Sequence, residues 1–245
     1  MLKKIIVFGG SKGLGKEIAK RLKGKKTIIE LVSRNKNNLL KIKKEYAHQN
    51  IQINTCDVTS ESQIKKFFLK KNKEDISLES IICNVGSGKQ TKGYILNKKD
   101  WNKCIEENFY SVSNIIENYL RYFKNKKFCK FIIISSIASE FKGGAPLSYS
   151  LVKNLLSNYV NIIAKDLYKH KILINTISPG HILAESNNWD KIRSTNLSKF
   201  NKVKKSIAAK RFCYPSDIVN YIEYLINKDK NYIIGTNLKI DGITE

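Results

Sequence analysis

The sequence predicts an α/β fold: one doubly wound parallel sheet of about seven strands with helices on both faces. Three observations carry that expectation. Short runs rich in Ile, Val and Phe alternate with stretches of helical periodicity along all 245 residues. The strand-like runs are continuously apolar rather than alternating, as strands buried on both sides are. No internal repeat, low-complexity tract or Pro/Gly-rich linker interrupts them, and there are only three prolines. A single domain over 1–245 is therefore expected.

The first strand, Lys4–Phe8, runs into Gly9-Gly10-Ser11-Lys12-Gly13-Leu14-Gly15, and Leu14, Ile18, Ala19 and Leu22 then repeat at helical spacing. Glycines let the backbone turn sharply and approach a pyrophosphate. The helix start offers free N–H groups and the positive end of a dipole. A tight βα turn is the plain alternative. The second strand, Thr27–Val32, ends in Ser33-Arg34, where an NAD-preferring site has a carboxylate for the ribose hydroxyls. Arg34 can instead pair with a 2′-phosphate, and Lys12 adds a second cation, so NADPH is favoured over two merely solvated cations. The third strand, Ile51–Thr55, leads to Asp57 and Val58, and Asp57 can hydrogen-bond an adenine. The fourth, Leu78–Cys83, leads to Asn84-Val85-Gly86 at the carboxyl edge, where wound sheets bind ligands. Asp57 and Asn84 also fit ordinary turn chemistry.

A long apolar stripe follows: Trp101, Ile105, Phe109, Val112, Ile116, Leu120 and Phe123. The fifth strand, Phe128–Ile134, precedes Ser136. Tyr149 and Lys153 lie i, i+4 at the start of a helix with the stripe Leu151, Leu155, Leu156, Tyr159, Ile163 and Leu167, so both project from one face. A phenol with an ordinary pKa near 10 is a poor proton carrier at neutral pH. A neighbouring ammonium lowers that pKa, and a serine hydroxyl can hold a carbonyl beside the phenol. The set makes a general acid for ketone reduction or a base for alcohol oxidation. The sixth strand, Ile172–Ile177, runs toward Pro179-Gly180 and Ile182, and the seventh spans Tyr232–Ile240.

Composition narrows the function classes. The net charge is +24, but 40 of the 45 basic residues are Lys, spread along the chain. Arg is the residue of bidentate phosphate and base recognition, so nucleic acid is not the expected partner. The five cysteines, Cys56, Cys83, Cys104, Cys129 and Cys213, form no CxxC or Cys/His cluster, which argues against metal and disulfides and for a reducing cytosol. MLKKIIVFGG enters the first strand without a signal-peptide pattern, and no run reaches membrane-spanning length. A cytoplasmic protein with no membrane partner is expected.

These motifs, in this order, resemble the short-chain dehydrogenase/reductase family over the whole chain. Phe8 to Gly15 matches the family's TGxxxGxG loop, and Cys83-Asn84-Val85-Gly86 its NNAG element. Asn108 falls on its structural and proton-relay asparagine. Ser136, Tyr149 and Lys153 fall on the catalytic serine, tyrosine and lysine. Pro179-Gly180 matches the turn beside the nicotinamide, and Asp241-Gly242 the start of the terminal DGG. The resemblance implies a Rossmann fold and hydride transfer between the nicotinamide and a carbonyl carbon. It makes Tyr149 the proton donor and Ser136 the carbonyl anchor. Lys153 would lower the tyrosine pKa and hold the ribose, and Asn108 would hold a water linked to Lys153. It also implies a homodimer or homotetramer through a four-helix interface; the stripe from Trp101 to Phe123 and the helix after Tyr149 carry apolar surface to spare for it. There are departures. Phe8 replaces the loop threonine, Val85 an alanine, Ile243 the last glycine, and Ala184 the threonine of PGxIxT, for which Ser186 is a candidate substitute.

Substrate choice in such proteins comes mostly from the segment after the PG turn, here a lid at about 184–213. Eight basic against two acidic residues there give a net charge of +6. This favours an anionic substrate, such as a nucleotide sugar in surface-polysaccharide metabolism, unless the lid is simply solvated. Trp189, Phe200 and Phe212 either line the pocket or fasten the lid. The expected function is NADPH-dependent reduction of a carbonyl to an alcohol, or the reverse. A 3-oxoacyl-carrier-protein reductase is the alternative substrate reading. A non-catalytic cofactor-binding regulator is the alternative of another class, and the intact Ser136, Tyr149 and Lys153 speak against it.

Overall fold

The computed structural model describes residues 3–22, 26–46, 50–74, 77–123, 127–141, 144–185, 187–227 and 232–244. Ser186 lies outside them. Seven parallel strands form one sheet: β1 (Lys3–Phe8), β2 (Thr27–Ser33), β3 (Ile51–Thr55), β4 (Ser77–Cys83), β5 (Cys129–Ile134), β6 (Ile172–Pro179) and β7 (Asn237–Ile240). Their order is β3-β2-β1-β4-β5-β6-β7. The chain winds outward from β1, crosses back to β4 and winds the other way. The loops after β1 and β4 therefore diverge and leave a crevice at the carboxyl edge.

Strand residues alternate between two apolar layers, which is why the strands read as continuous hydrophobic runs. Ile6, Phe8, Ile81, Phe131 and Ile133 pack against α3 (Glu61–Lys71), α5 (Ser111–Tyr122) and α6 (Leu147–Lys169). Ile5, Val7, Leu31, Ile82 and Ile132 pack against α1 (Gly13–Arg21), α2 (Lys36–Glu45) and α9 (Pro215–Asn227). No helix of the described residues is long and apolar enough to cross a membrane. All five cysteines are buried and free.

Three expectations need correction. The seventh strand is only Asn237–Ile240, because residues 232–236 run as irregular chain beside β6. The stripe from Trp101 to Phe123 is not one helix. It divides into α4 (Lys98–Ile105), a π-helical turn (Glu106–Tyr110) and α5. The wider turn rotates the later residues, so Val112, Ile115, Ile116 and Tyr119 face the core while Leu120 is exposed. On α6 the buried row is Val152, Leu156, Val160, Ala164 and Leu167, whereas Leu151 and Leu155 face outward.

The lysine-rich surface also has exceptions. Lys4 on β1, Glu30 on β2 and Lys71 on α3 are buried together, with Lys71 Nζ 2.7 Å from Glu30 Oε1 and 2.7 Å from Glu74 Oε1. Lys4 pairs with Glu30 and Glu74 from the other side. Removing one partner would leave a buried charge uncompensated.

Candidate active site

The loop after β1 brings the start of α1 against the crevice. A Cβ at Gly15 would sit 2.3 Å from Gly9 O, so only glycine lets α1 begin this close to β1. No side chain caps α1, which leaves its first N–H groups for an anion. Ser11, Lys12, Gly13 and Leu14 line a cleft of about 610 Å³ with Gly9, Ser33, Arg34, Asp57, Val58, Asn84, Val85, Gly86 and Ile182. Residues that follow or end five strands, β1, β2, β3, β4 and β6, thus share one hollow.

At its outer end Arg34 Nη1 lies 3.8 Å from Asp57 Oδ2. Asp57 Oδ1 accepts from Thr59 N at 3.1 Å and Thr59 Oγ1 at 2.8 Å, so this carboxylate braces its own turn as well as facing the arginine. Asn84 Nδ2 donates to Gly9 O at 3.1 Å and ties the two glycine loops together.

The π-helical turn explains Asn108. It drops the side chain out of the helix toward the loop after β4, where Oδ1 accepts from Ser87 N at 2.9 Å. Nδ2 donates to Ser87 O at 3.2 Å and to Cys104 O at 3.1 Å. Gly86 lies between two groups: its Cβ would stand 2.6 Å from Asn108 Oδ1 and 3.2 Å from Lys153 Nζ. Asn108 and Lys153 therefore meet at the inner wall of the cleft, behind Gly86.

Ser136 ends the extended segment after β5, and its Oγ accepts from Ala138 N at 3.1 Å. Tyr149 and Lys153 leave the first and second turns of α6 on one face, with Lys153 Nζ 5.8 Å from the phenol ring centre. Nζ also donates to Ile134 O at 3.3 Å. Burial pushes the Tyr149 phenol up to about 12, opposed in part by its hydrogen bond with Ser136. Burial lowers Lys153 to about 8. Without a bound cofactor, burial is the larger influence on both groups. Desolvation disfavours the phenolate of Tyr149 and the ammonium of Lys153 alike. Gly15, Asn108, Ser136, Tyr149, Lys153, Pro179 and Gly180 do not line the cleft itself. Tyr149 lies beside Gly88, between the lining residues Ser87 and Lys89; a Cβ at Gly88 would be 3.9 Å from the phenol Cζ. Gly180 packs on Asp241, where its Cβ would be 2.8 Å from Cα, so the terminal Asp-Gly pair braces the PG turn.

This chain matches the family model described as enoyl-(acyl carrier protein) reductase over residues 9–242. It belongs to the short-chain dehydrogenase/reductase family. It is accordingly an NAD(P)-dependent oxidoreductase of that family. It is 22% identical over 238 residues to the 3-oxoacyl-[acyl-carrier-protein] reductase MabA of Mycobacterium tuberculosis, covering 97% of this chain and 91% of that one. It is 24% identical to the 3-oxoacyl-[acyl-carrier-protein] reductase FabG of Escherichia coli, covering 97% and 95%. The solved structure of ElxO with NADP bound superposes with a TM-score of 0.87 at 25% identity, over 99% of this chain and 98% of that one. The uncapped α1 terminus, the close glycine packing and the size of the cleft fit a dinucleotide.

Sequence reasoning missed several residues of the short-chain dehydrogenase cleft, among them Asn38, Thr59, Ser87, Lys89, Asn187 and Lys191. Lys89 sits three residues past Gly86, and proximity to the glycine loop was the signal for it. Asn187 and Lys191 needed the lid's path. That lid comprises α7 (Asn188–Thr195) and α8 (Leu197–Ser206). Phe200 stacks on Phe212 with ring centres 4.4 Å apart, and Trp189 lies 5.0 Å from Phe212 and 4.8 Å from His181. None of the three aromatic residues Trp189, Phe200 and Phe212 lines the cleft, so they fasten the lid.

Proposed function

We propose that the protein reduces a carbonyl substrate to an alcohol with NADPH, within a single domain whose segment at about 184–213 covers the substrate. The observation that carries this reading is the grouping of Tyr149 with Ser136 and with Lys153, whose Nζ stands behind Gly86, a residue lining a cleft that also holds Arg34 and no ribose-binding carboxylate at the end of β2. When bound, NADPH supplies the hydride to the carbonyl carbon. Gly9, Ser11, Gly13, Leu14 and the α1 terminus hold the pyrophosphate. Asp57, Val58, Asn84, Val85 and Ile182 flank the bases and riboses, and Lys153 takes ribose hydroxyls. Ser136 donates a hydrogen bond to the substrate oxygen, and Tyr149 Oη delivers the proton to it. Asn108 holds the loop that positions Gly86. Consumption of NADPH with a panel of ketones, followed by absorbance, tests this reading; no turnover with any substrate and no NADPH binding would sink it.

Cofactor preference rests on Arg34. Pairing with a 2′-phosphate competes with its pairing to Asp57, but the phosphate carries more charge and three acceptor oxygens. Arg34→Ala should weaken NADPH binding by about tenfold to hundredfold and leave NADH nearly unchanged. Equal losses for both cofactors would remove the assignment.

A second reading is favoured by the relatives named above: the substrate is a 3-oxoacyl group carried on an acyl-carrier protein. Acetoacetyl thioesters and nucleotide-linked keto sugars, compared as substrates, separate it from the nucleotide-sugar reading. The five buried thiols suit a reducing cytoplasm.

Assembly follows from the outward row on α6. Leu151, Leu155 and Ile162 are exposed there, Ile162 at 73%, beside Tyr110 and Leu120 of the π-helical turn and α5. We expect isologous pairing of these helices into a homodimer, or a homotetramer built from two. Light scattering should give the oligomer mass for the wild type and a smaller mass for Leu155→Glu/Ile162→Glu; a wild-type monomer at micromolar concentration would refute the pairing.

A further inference from the structure

We propose that Lys89 and Lys191 form a two-lysine clamp for a phosphate-bearing group of the substrate, on opposite walls of the cleft. The assignment rests on the reading of the cleft as an NADPH site. Lys89 belongs to the connection from β4 to α4, which leads to the α3, α5 and α6 side of the sheet. It follows Gly88, whose Cβ would be 3.9 Å from Tyr149 Cζ. Lys191 comes from the first turn of α7, and its N–H donates to Asn187 O at 3.1 Å. Asn187 Nδ2 is tied to Ile182 O at 2.6 Å, and the base of the lid is held to α1 by Lys16 and Glu185, 3.3 Å apart. Lys191 thus reaches the cleft from the α1 side.

The charges in the cleft show what the two lysines are for. Its acidic groups are already engaged. Asp57 faces Arg34, Glu185 pairs with Lys16, and Glu107 accepts from Gln90 Nε2 at 2.8 Å. Among the described residues neither Lys89 nor Lys191 makes an ion pair. The dinucleotide's own anions have other partners: Arg34 and Lys12 for the 2′-phosphate, and the uncapped α1 terminus for the pyrophosphate. Two cations remain, Lys89 and Lys191, lining the same cleft with Asn187 and Asn188. In a cleft walled by protein their fields add, and a doubly charged phosphate gains from both. A neutral ketone would leave them with nothing to bind.

Titration calorimetry on the NADPH-saturated protein tests the clamp without a known substrate. Inorganic pyrophosphate should bind the wild type, and Lys89→Gln/Lys191→Gln should weaken it by about tenfold to hundredfold, each single variant by less. The double variant should bind NADPH within about twofold of the wild type, since the proposal gives the cofactor's phosphates to Arg34, Lys12 and the α1 terminus. Parallel titrations with uridine diphosphate against uridine, and with phosphopantetheine against pantetheine, show whether the phosphate is that of a nucleotide or of a carrier arm. No pyrophosphate binding to the loaded wild type, or equal binding to the double variant, overturns the clamp. Loss of NADPH binding in the double variant also overturns it, by giving the lysines to the cofactor. A wild type that fails to bind NADPH at all instead fells the underlying reading, and titration with NADPH alone reveals that separately.

Discussion

Tyr149→Phe should lower turnover by about 10²–10⁴-fold, the usual range for a lost general acid. The ring and its packing remain, so Tm and NADPH affinity should stay close to wild type. The phenol is well placed to be the acid rather than the base, because burial pushes it up to about 12 and it stays protonated at neutral pH. Rate and binding must be measured separately, since KM alone confuses them. Wild-type turnover in Tyr149→Phe on an identified substrate would show that another group supplies the proton.

Lys153→Met should have the opposite signature: a more stable protein that has lost its function. Burial lowers Lys153 to about 8, against roughly 10.4 in an unfolded chain. Below about 8 the folded protein therefore carries the full penalty of a dry ammonium. Between the two values the unfolded chain binds more protons, so wild-type stability rises with pH through that window. Methionine has a similar shape and no charge to desolvate. The variant should exceed wild type by about 1–3 kcal/mol at neutral pH, and the gain should shrink as pH rises above about 8. Turnover should fall by at least about 10²-fold, and cofactor binding should weaken with the loss of a ribose donor. Melting curves at several pH values check the sign; a variant less stable than wild type at neutral pH would show that Ile134 O and the neighbouring groups repay the burial of the charge.

The wound sheet was legible because its causes are local. Each strand is a short apolar run, and each glycine loop stands where a strand must turn toward a helix. Ser136, Tyr149 and Lys153 were legible through spacing and neighbouring motifs, and the structure brings them together. The helix break at Asn108 was not legible. A π-helical turn adds one residue to a helix without any glycine or proline to mark it, and Trp101 to Phe123 keep an apolar rhythm that a single helix would also produce. The buried charges were hidden by composition: among 40 lysines, Lys4, Lys71, Lys130 and Lys153 look like the rest, and only folding decides which are dry. Glu30, alone in an otherwise apolar strand, was the available hint. The lid's contribution to the cleft depends on the path of α7 and α8, which periodicity does not give.

The buried cysteines make the folded chain chemically quiet. A thiol reacts as its thiolate, and burial pushes Cys56 up to about 11 and Cys129 and Cys213 up to about 12, with Cys83 and Cys104 raised as well. Electrophiles and peroxide that would label an exposed cysteine find none until a layer opens. Cys83 and Cys129 stand in the layer beneath α3, α5 and α6, and Cys213 in the layer beneath α1, α2 and α9. Alkylation therefore keeps time with opening, and the two layers keep separate clocks: adduct formation at Cys213 ahead of Cys129 would mean that the α1 and α9 face lifts while the opposite face stays shut.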